Sequence, residues 1–208
     1  MVVLHFTLRY SLNQSPETKS FMSFNTIAQN KNRQSLTDYD EIWLFGYGSL
    51  IYKVDFPYID KAPASIRGWQ RRLWQGSHDH RGTPDNPGRV ATLIPAEQEI
   101  CAGVAFKVTH EVFDHLDHRE KNGYLRHEVD IYFDEEGLVK KGLIYIASQD
   151  NKAFLGHAPD RELAQHIHQS AGPSGENRDY VFQLADALRA MNETDEHVFA
   201  IEQHLKNL

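Results

Sequence analysis

The chain has 208 residues, 40% hydrophobic and 25% charged, the composition of one globular domain with a substantial core. A net charge of −7 argues against a general nucleic-acid binder, and no apolar run approaches the roughly 20 residues that a membrane helix needs. The one cysteine, Cys101, excludes an intramolecular disulfide framework and points to a reducing compartment, the cytoplasm.

Residues 1–40 are rich in Ser, Asn, Gln and Thr and show no sustained periodicity. Their basic residues up to position 36 are Arg9, Lys19, Lys31 and Arg33 against the single acid Glu17, which leaves +3 there and therefore −10 in residues 37–208. The apolar run Val2-Val3-Leu4 is too short for a secretory signal, and two arginines are few for an organelle transit peptide. The expectation is a disordered N-terminal extension over 1–40, followed by one catalytic domain over 41–208.

From residue 41 the pattern becomes strand-rich. Runs of Val, Ile, Leu, Phe and Trp bounded by Gly, Pro, Asn and Asp predict strands at 41–46, 66–75, 90–94, 102–108, 127–133 and 142–147. A short helix is expected between 108 and 127, with Thr109 as N-cap and Val112, Phe113 and Leu116 on one face. The last quarter reads as three helices. The first spans 160–170 with Leu163 and Ile167 four apart, and the second carries Tyr180, Leu184, Leu188 and Met191 on one stripe. The third opens at Thr194 as N-cap and buries Val198, Ile201, Leu205 and Leu208. The sum is an α+β fold, a small, largely antiparallel sheet or barrel with helices packed outside it.

Three features could carry chemistry. Trp43-Leu44-Phe45-Gly46-Tyr47-Gly48-Ser49-Leu50-Ile51 is an apolar strand that breaks into a glycine turn. Such a turn can aim several backbone N–H groups into one concavity that binds an anion, often a carboxylate, or it can simply end a strand. Glu120, in Arg119-Glu120-Lys121-Asn122-Gly123-Tyr124, sits at the end of the short helix, where the dipole disfavours a carboxylate. It is either a solvated partner of Arg119 and Lys121 or a functional acid. In Arg71-Arg72-Leu73-Trp74-Gln75-Gly76, an arginine beside tryptophan can stack, pair structurally or bind a carboxylate. The twelve histidines, including His78 with His80 and His115 with His118, have no His-Glu-x-x-His and no recognisable closing pair, so they read as solvated or hydrogen-bonding. Ser49 lacks the marks of an activated nucleophile, and Cys101 reads as buried and inert.

These stretches, with His80-Arg81-Gly82, Pro87-Gly88-Arg89-Val90, Leu155-Gly156-His157-Ala158-Pro159, Ala171-Gly172-Pro173-Ser174-Gly175 and Asp195-Glu196-His197, run in one order over about residues 42–205. In that order the chain resembles the ChaC family of glutathione-specific γ-glutamylcyclotransferases. Two departures stand out: Leu73 replaces an aromatic, and Cys101-Ala102-Gly103-Val104-Ala105-Phe106 is looser than the usual Trp-Gly-Val-Ala-Tyr.

The resemblance implies a small closed β-barrel with flanking helices, and a reaction in which the α-amine of glutathione attacks its own γ-carbonyl. The products are 5-oxoproline and Cys-Gly. It implies that Gly46, Tyr47, Gly48, Ser49, Leu50 and Ile51 bind the γ-glutamyl group, that Glu120 is the catalytic acid/base, and that no metal or organic cofactor takes part. Tyr145 is a candidate for lining the site, and Arg72 or Arg89 for meeting the glycine carboxylate. The partner is a small molecule, neither a nucleic acid nor a membrane. Two other readings stay open: action on other γ-glutamyl amino acids or amines, and a non-catalytic γ-glutamyl-binding or cation-transport regulatory protein.

Overall fold

A computed structural model describes residues 24–39, 41–133 and 137–208. Five strands close into a barrel: β1 (Ile42–Gly46), β2 (Asp60–Ser77), β3 (Gly88–Val108), β4 (Leu125–Phe133) and β5 (Val139–Ile146), in spatial order β1-β3-β2-β4-β5. All neighbours are antiparallel except β1 and β5, which close the barrel in parallel through Leu44 opposite Leu143 and Phe45 opposite Ile144. The expected closed and largely antiparallel barrel is therefore present.

Strand alternation explains why β1 is apolar throughout. Trp43 and Phe45 enter one hydrophobic cluster, and Ile42 and Leu44 enter a second on the opposite face. The first cluster is covered by the C-terminal helices α3 (Asp160–His168), α4 (Asn177–Ala190) and α5 (Glu196–Leu205), through Leu163, Ile167, Leu184, Leu188, Val198 and Ile201. The second is covered by α2 (Val112–Arg119), through Val112, Phe113 and Leu116. Two short strands, β6 (Ala171–Gly172) and β7 (Gly175–Glu176), pair beside the start of α4. Among the described residues no helix is long and apolar enough to cross a membrane.

Several expected boundaries move. The runs at 90–94 and 102–108 are one strand, because β3 stays paired with β2 across a bulge where Trp69 faces Pro95 and Arg67 faces Ile100. Gly68 occupies that bulge at φ 80°, the left-handed region that glycine enters without penalty. Helix α2 begins after Glu111, not at Thr109, and no side chain caps it. The N-cap of α5 is Asp195 rather than Thr194, and its carboxylate accepts from Val198 N at 3.0 Å. Met191 is the C-cap of α4, and Leu208 lies beyond α5 with 55% of its surface exposed.

The expected extension over 1–40 also needs correction. Residues 1–23 lie outside the described residues, but 24–39 pack against the domain. Their helix α1 (Ile27–Lys31) places Asn30 fully buried, donating to Tyr124 O at 3.1 Å and accepting from Arg126 N at 2.9 Å. Thr26 donates to Tyr124 O at 2.7 Å, and Arg33 to Arg126 O at 2.6 Å. The polar composition that reads as disorder satisfies backbone groups at the start of β4 instead.

Candidate active site

A cleft of about 170 Å³ opens where β1 ends. Its floor is Gly46, Tyr47, Gly48, Ser49 and Leu50, and its wall includes Glu120 and Tyr145. The residues after Gly48 form one 3₁₀ turn, in which Ile51 N donates to Gly48 O at 3.0 Å and Tyr52 N to Ser49 O at 3.2 Å. The N–H groups of Gly48, Ser49 and Leu50 precede the first one that the turn satisfies itself. Ile51, expected among the binding residues, does not line the cleft; its N–H is spent inside the turn and its side chain packs on the core. Gly46 is required by close approach rather than by its backbone angles, since a Cβ there would lie 2.6 Å from Leu50 Cβ.

The turn is held from two sides. Behind it, the buried Arg71 donates through Nε to Tyr47 O at 2.6 Å, through Nη1 to Asp195 at 2.5 Å and through Nη2 to Ala102 O at 2.5 Å. A trans peptide points its C=O and N–H in opposite directions, so fixing Tyr47 O toward Arg71 aims the Gly48 N–H away from it, to the cleft side. In front, Arg119 donates to Ser49 Oγ at 3.0 Å and to Lys53 O at 3.1 Å, and pairs with Asp55.

Glu120 is the C-cap of α2, with its N–H donating to Leu116 O at 2.8 Å. Its carboxyl lies 3.3 Å from Arg119 Nε and its side chain is 16% exposed. Burial pushes its pKa above the ordinary carboxylate value, Asp55 and Asp79 push the same way, and Arg119 and His115 hold it down. The carboxyl is thus set toward proton transfer rather than permanent charge.

The tyrosines of the cleft differ in what their protons do. Tyr47 donates to Tyr145 O at 2.8 Å, Tyr124 to Ala91 O at 2.6 Å and Tyr145 to Asp117 at 2.6 Å. Tyr145, expected to line the site, does so, but its hydroxyl is committed to Asp117 on α2. Tyr180 accepts from Ala91 N at 3.1 Å, and its own proton has no acceptor among the described residues. Burial pushes the Tyr180 pKa up to about 12, so it is a donor and not an anion.

Neither arginine expected to meet a carboxylate lines the cleft. Arg72 donates to Arg71 O at 2.7 Å and to Gln70, and its guanidinium lies 5.9 Å from the Trp74 ring. Arg89 donates to Gly156 O at 2.8 Å and is buried. The arginines of the cleft are Arg81 and Arg119. Arg81 had only its place between His80 and Gly82 to mark it, and no periodicity assigns it a face.

Comparisons with known proteins agree with the fold. The family described as ChaC-like protein matches residues 42–208. The chain is 42% identical over 178 residues to γ-glutamylcyclotransferase 2-3 of Arabidopsis thaliana, covering 80% of this chain and 89% of the relative. It is 37% identical over 204 residues to the glutathione-specific γ-glutamylcyclotransferase of Saccharomyces cerevisiae, covering 74% and 88%. A crystal structure of a γ-glutamyl cyclotransferase specific to glutathione from yeast superposes with a TM-score of 0.74 at 34% identity, covering 80% of this chain and 96% of that one.

Proposed function

Because the chain belongs to the ChaC-like protein family, we propose that it cleaves glutathione into 5-oxoproline and Cys-Gly, acting as a γ-glutamylcyclotransferase. The observation that carries this reading is the partly buried Glu120 carboxyl sharing one cleft with the turn at Gly46 to Leu50. No water is consumed. The α-amine of the γ-glutamyl group attacks its own γ-carbonyl carbon, a five-membered lactam forms, and the C–N bond to cysteine breaks.

The nucleophile arrives with the substrate, so the protein's work is to fold the glutamyl chain until nitrogen and carbonyl carbon are about 3–3.5 Å apart. The α-carboxylate sits on the N–H groups of Gly48, Ser49 and Leu50, which anchors one end of that fold. Two protons leave the α-nitrogen as it becomes the lactam N–H, and Glu120 relays them in turn to the departing cysteine nitrogen, which leaves as an ammonium, a role worth about 10²–10⁴-fold. Its raised pKa suits both halves, since a carboxyl of ordinary acidity is a weak base near neutral pH. Tyr180 is assigned as the donor to the γ-carbonyl oxygen as negative charge develops there. No residue in this scheme needs a metal or an organic cofactor. A reducing, cytoplasmic setting fits both a thiol substrate and the free buried Cys101.

The test follows 5-oxoproline and Cys-Gly together from purified protein and glutathione, with Glu120→Gln in parallel. The reading requires equal amounts of the two products and a rate loss of about 10²–10⁴-fold in the variant. Unequal products, or a variant as fast as the parent, would contradict it.

A further inference from the structure

Glutathione carries two carboxylates, and the turn at Gly46 to Leu50 accounts for one. Of the two guanidinium groups in the cleft, Arg119 is fully engaged by Asp55, Glu120, Ser49 Oγ and Lys53 O. Arg81 is not. It is buried at 7% exposure, its side chain donates to Glu176 O at 2.9 Å, and no carboxylate lies within ion-pair distance of it among the described residues. The nearby acid Asp79 reaches toward Lys121 at 3.9 Å instead. Buried charges are ordinarily paired, so a guanidinium on a cleft wall with no carboxylate partner of its own is suited to receive one from a ligand.

A second observation marks the same place. The Tyr52 hydroxyl lines the cleft, is closed to bulk water and has no polar partner among the described residues other than the neighbouring Arg81 guanidinium. Desolvation holds its pKa far above the ordinary tyrosine value while the Arg81 charge beside it acts to lower it, so it remains a neutral donor. Tyr52 is connected to the turn through Tyr180: the two rings meet edge to face with centroids 6.3 Å apart, and a Cβ on Gly48 would lie 3.1 Å from the Tyr180 hydroxyl. The wall therefore runs from the anion-binding turn across Tyr180 and Tyr52 to Arg81, with the Ser174 and His80 side chains, 3.2 Å apart, beside it.

We infer that Arg81 and Tyr52 form a second carboxylate subsite that receives the C-terminal glycine carboxylate, selecting γ-glutamyl peptides ending in a free carboxylate over γ-glutamyl amines and amides. This rests on the cyclotransferase reading and specifies its substrate class. It replaces Arg72 and Arg89, both of which are turned to backbone carbonyls outside the cleft.

The experiment compares glutathione with its C-terminal amide, which differs only at the carboxylate. The readout is the ratio of kcat/KM values for 5-oxoproline formation in the parent, Arg81→Met, Arg81→Lys and Tyr52→Phe. A charged hydrogen-bonding partner predicts a preference of about 10- to 100-fold for the acid in the parent. Arg81→Met brings the ratio near unity, Tyr52→Phe lowers it, and Arg81→Lys keeps part of it. General damage to the fold lowers both substrates alike and leaves the ratio in place, so a ratio near unity reports the subsite. A parent that does not distinguish the compounds, or an Arg81→Met variant with the parent's ratio, overturns the inference. If neither compound gives 5-oxoproline, the cyclotransferase reading fails, and the same ratio taken from calorimetric affinities decides the subsite alone.

Discussion

Arg71→Lys separates the charge of this buried side chain from its shape. Arg71 has a side chain 2% exposed and serves three acceptors at once: Tyr47 O, Asp195 and Ala102 O. A lysine ammonium is a compact point donor and does not reproduce the planar fork. It keeps the pair with Asp195 and leaves the two carbonyls short of a donor. Each buried group left unsatisfied costs about 1–3 kcal/mol, so the loss is about 2–6 kcal/mol, toward the lower end where the cavity admits a water. Set against a total stability of about 5–15 kcal/mol, the variant folds but is weakened. With a urea slope of about 2 kcal/mol/M, a loss of 2–4 kcal/mol lowers the midpoint by about 1–2 M. The peptide between Tyr47 and Gly48 is then free to rotate, and KM for glutathione rises about tenfold while the bond-making step is touched less. Urea unfolding read by tryptophan fluorescence, with KM on the same preparation, checks both halves. A variant with the parent's midpoint and KM refutes the argument that the guanidinium holds the turn. A lowered midpoint with unchanged KM confines Arg71 to the stability of the fold.

Two further outcomes follow from the charges. Glu120 must be ionised to take a proton, so the acidic limb of the kcat–pH profile lies above the ordinary carboxylate pKa of 4.5, and Arg119→Met, which removes the cation holding that pKa down, shifts the limb to higher pH; a limb that stays in place would remove Glu120 from the base role. His197 accepts from Leu73 N at 3.0 Å through Nε2 and is held near pKa 4 by burial, against 6.5 when unfolded. Its contribution is complete above pH 6.5 and lost as pH falls toward 4, which amounts to about 3 kcal/mol. His197→Gln therefore loses less stability than the parent across that window in urea titrations, and parallel losses would contradict the assignment.

Local features of the sequence carried much of the site. Gly46 to Leu50 and Glu120 are each defined by residues adjacent in the chain, a strand running into a glycine turn and a short helix ending in an acid, and the structure places both on one cleft. Arg71 and Asp195 were both visible as motif residues, but 124 positions separate them, and nothing local distinguishes an arginine that holds a turn from one that binds a ligand. The same limit hid Arg81, whose importance lies in lacking a carboxylate partner, a property of the folded surroundings. Arg72 and Arg89 have the right charge for a carboxylate, but β2 and β3 aim them at carbonyls of Arg71 and Gly156. Residues 24–39 misled by composition: Thr26, Asn30 and Arg33 are polar because they bond the backbone around Tyr124 and Arg126.

The central claim is that the substrate's own amine, not water, cleaves the γ-glutamyl amide. The direct measurement runs the reaction with glutathione in heavy-oxygen water and weighs the products by mass spectrometry. The account predicts unlabelled 5-oxoproline, one for each Cys-Gly released. Glutamate carrying the heavy oxygen would show hydrolysis and contradict it.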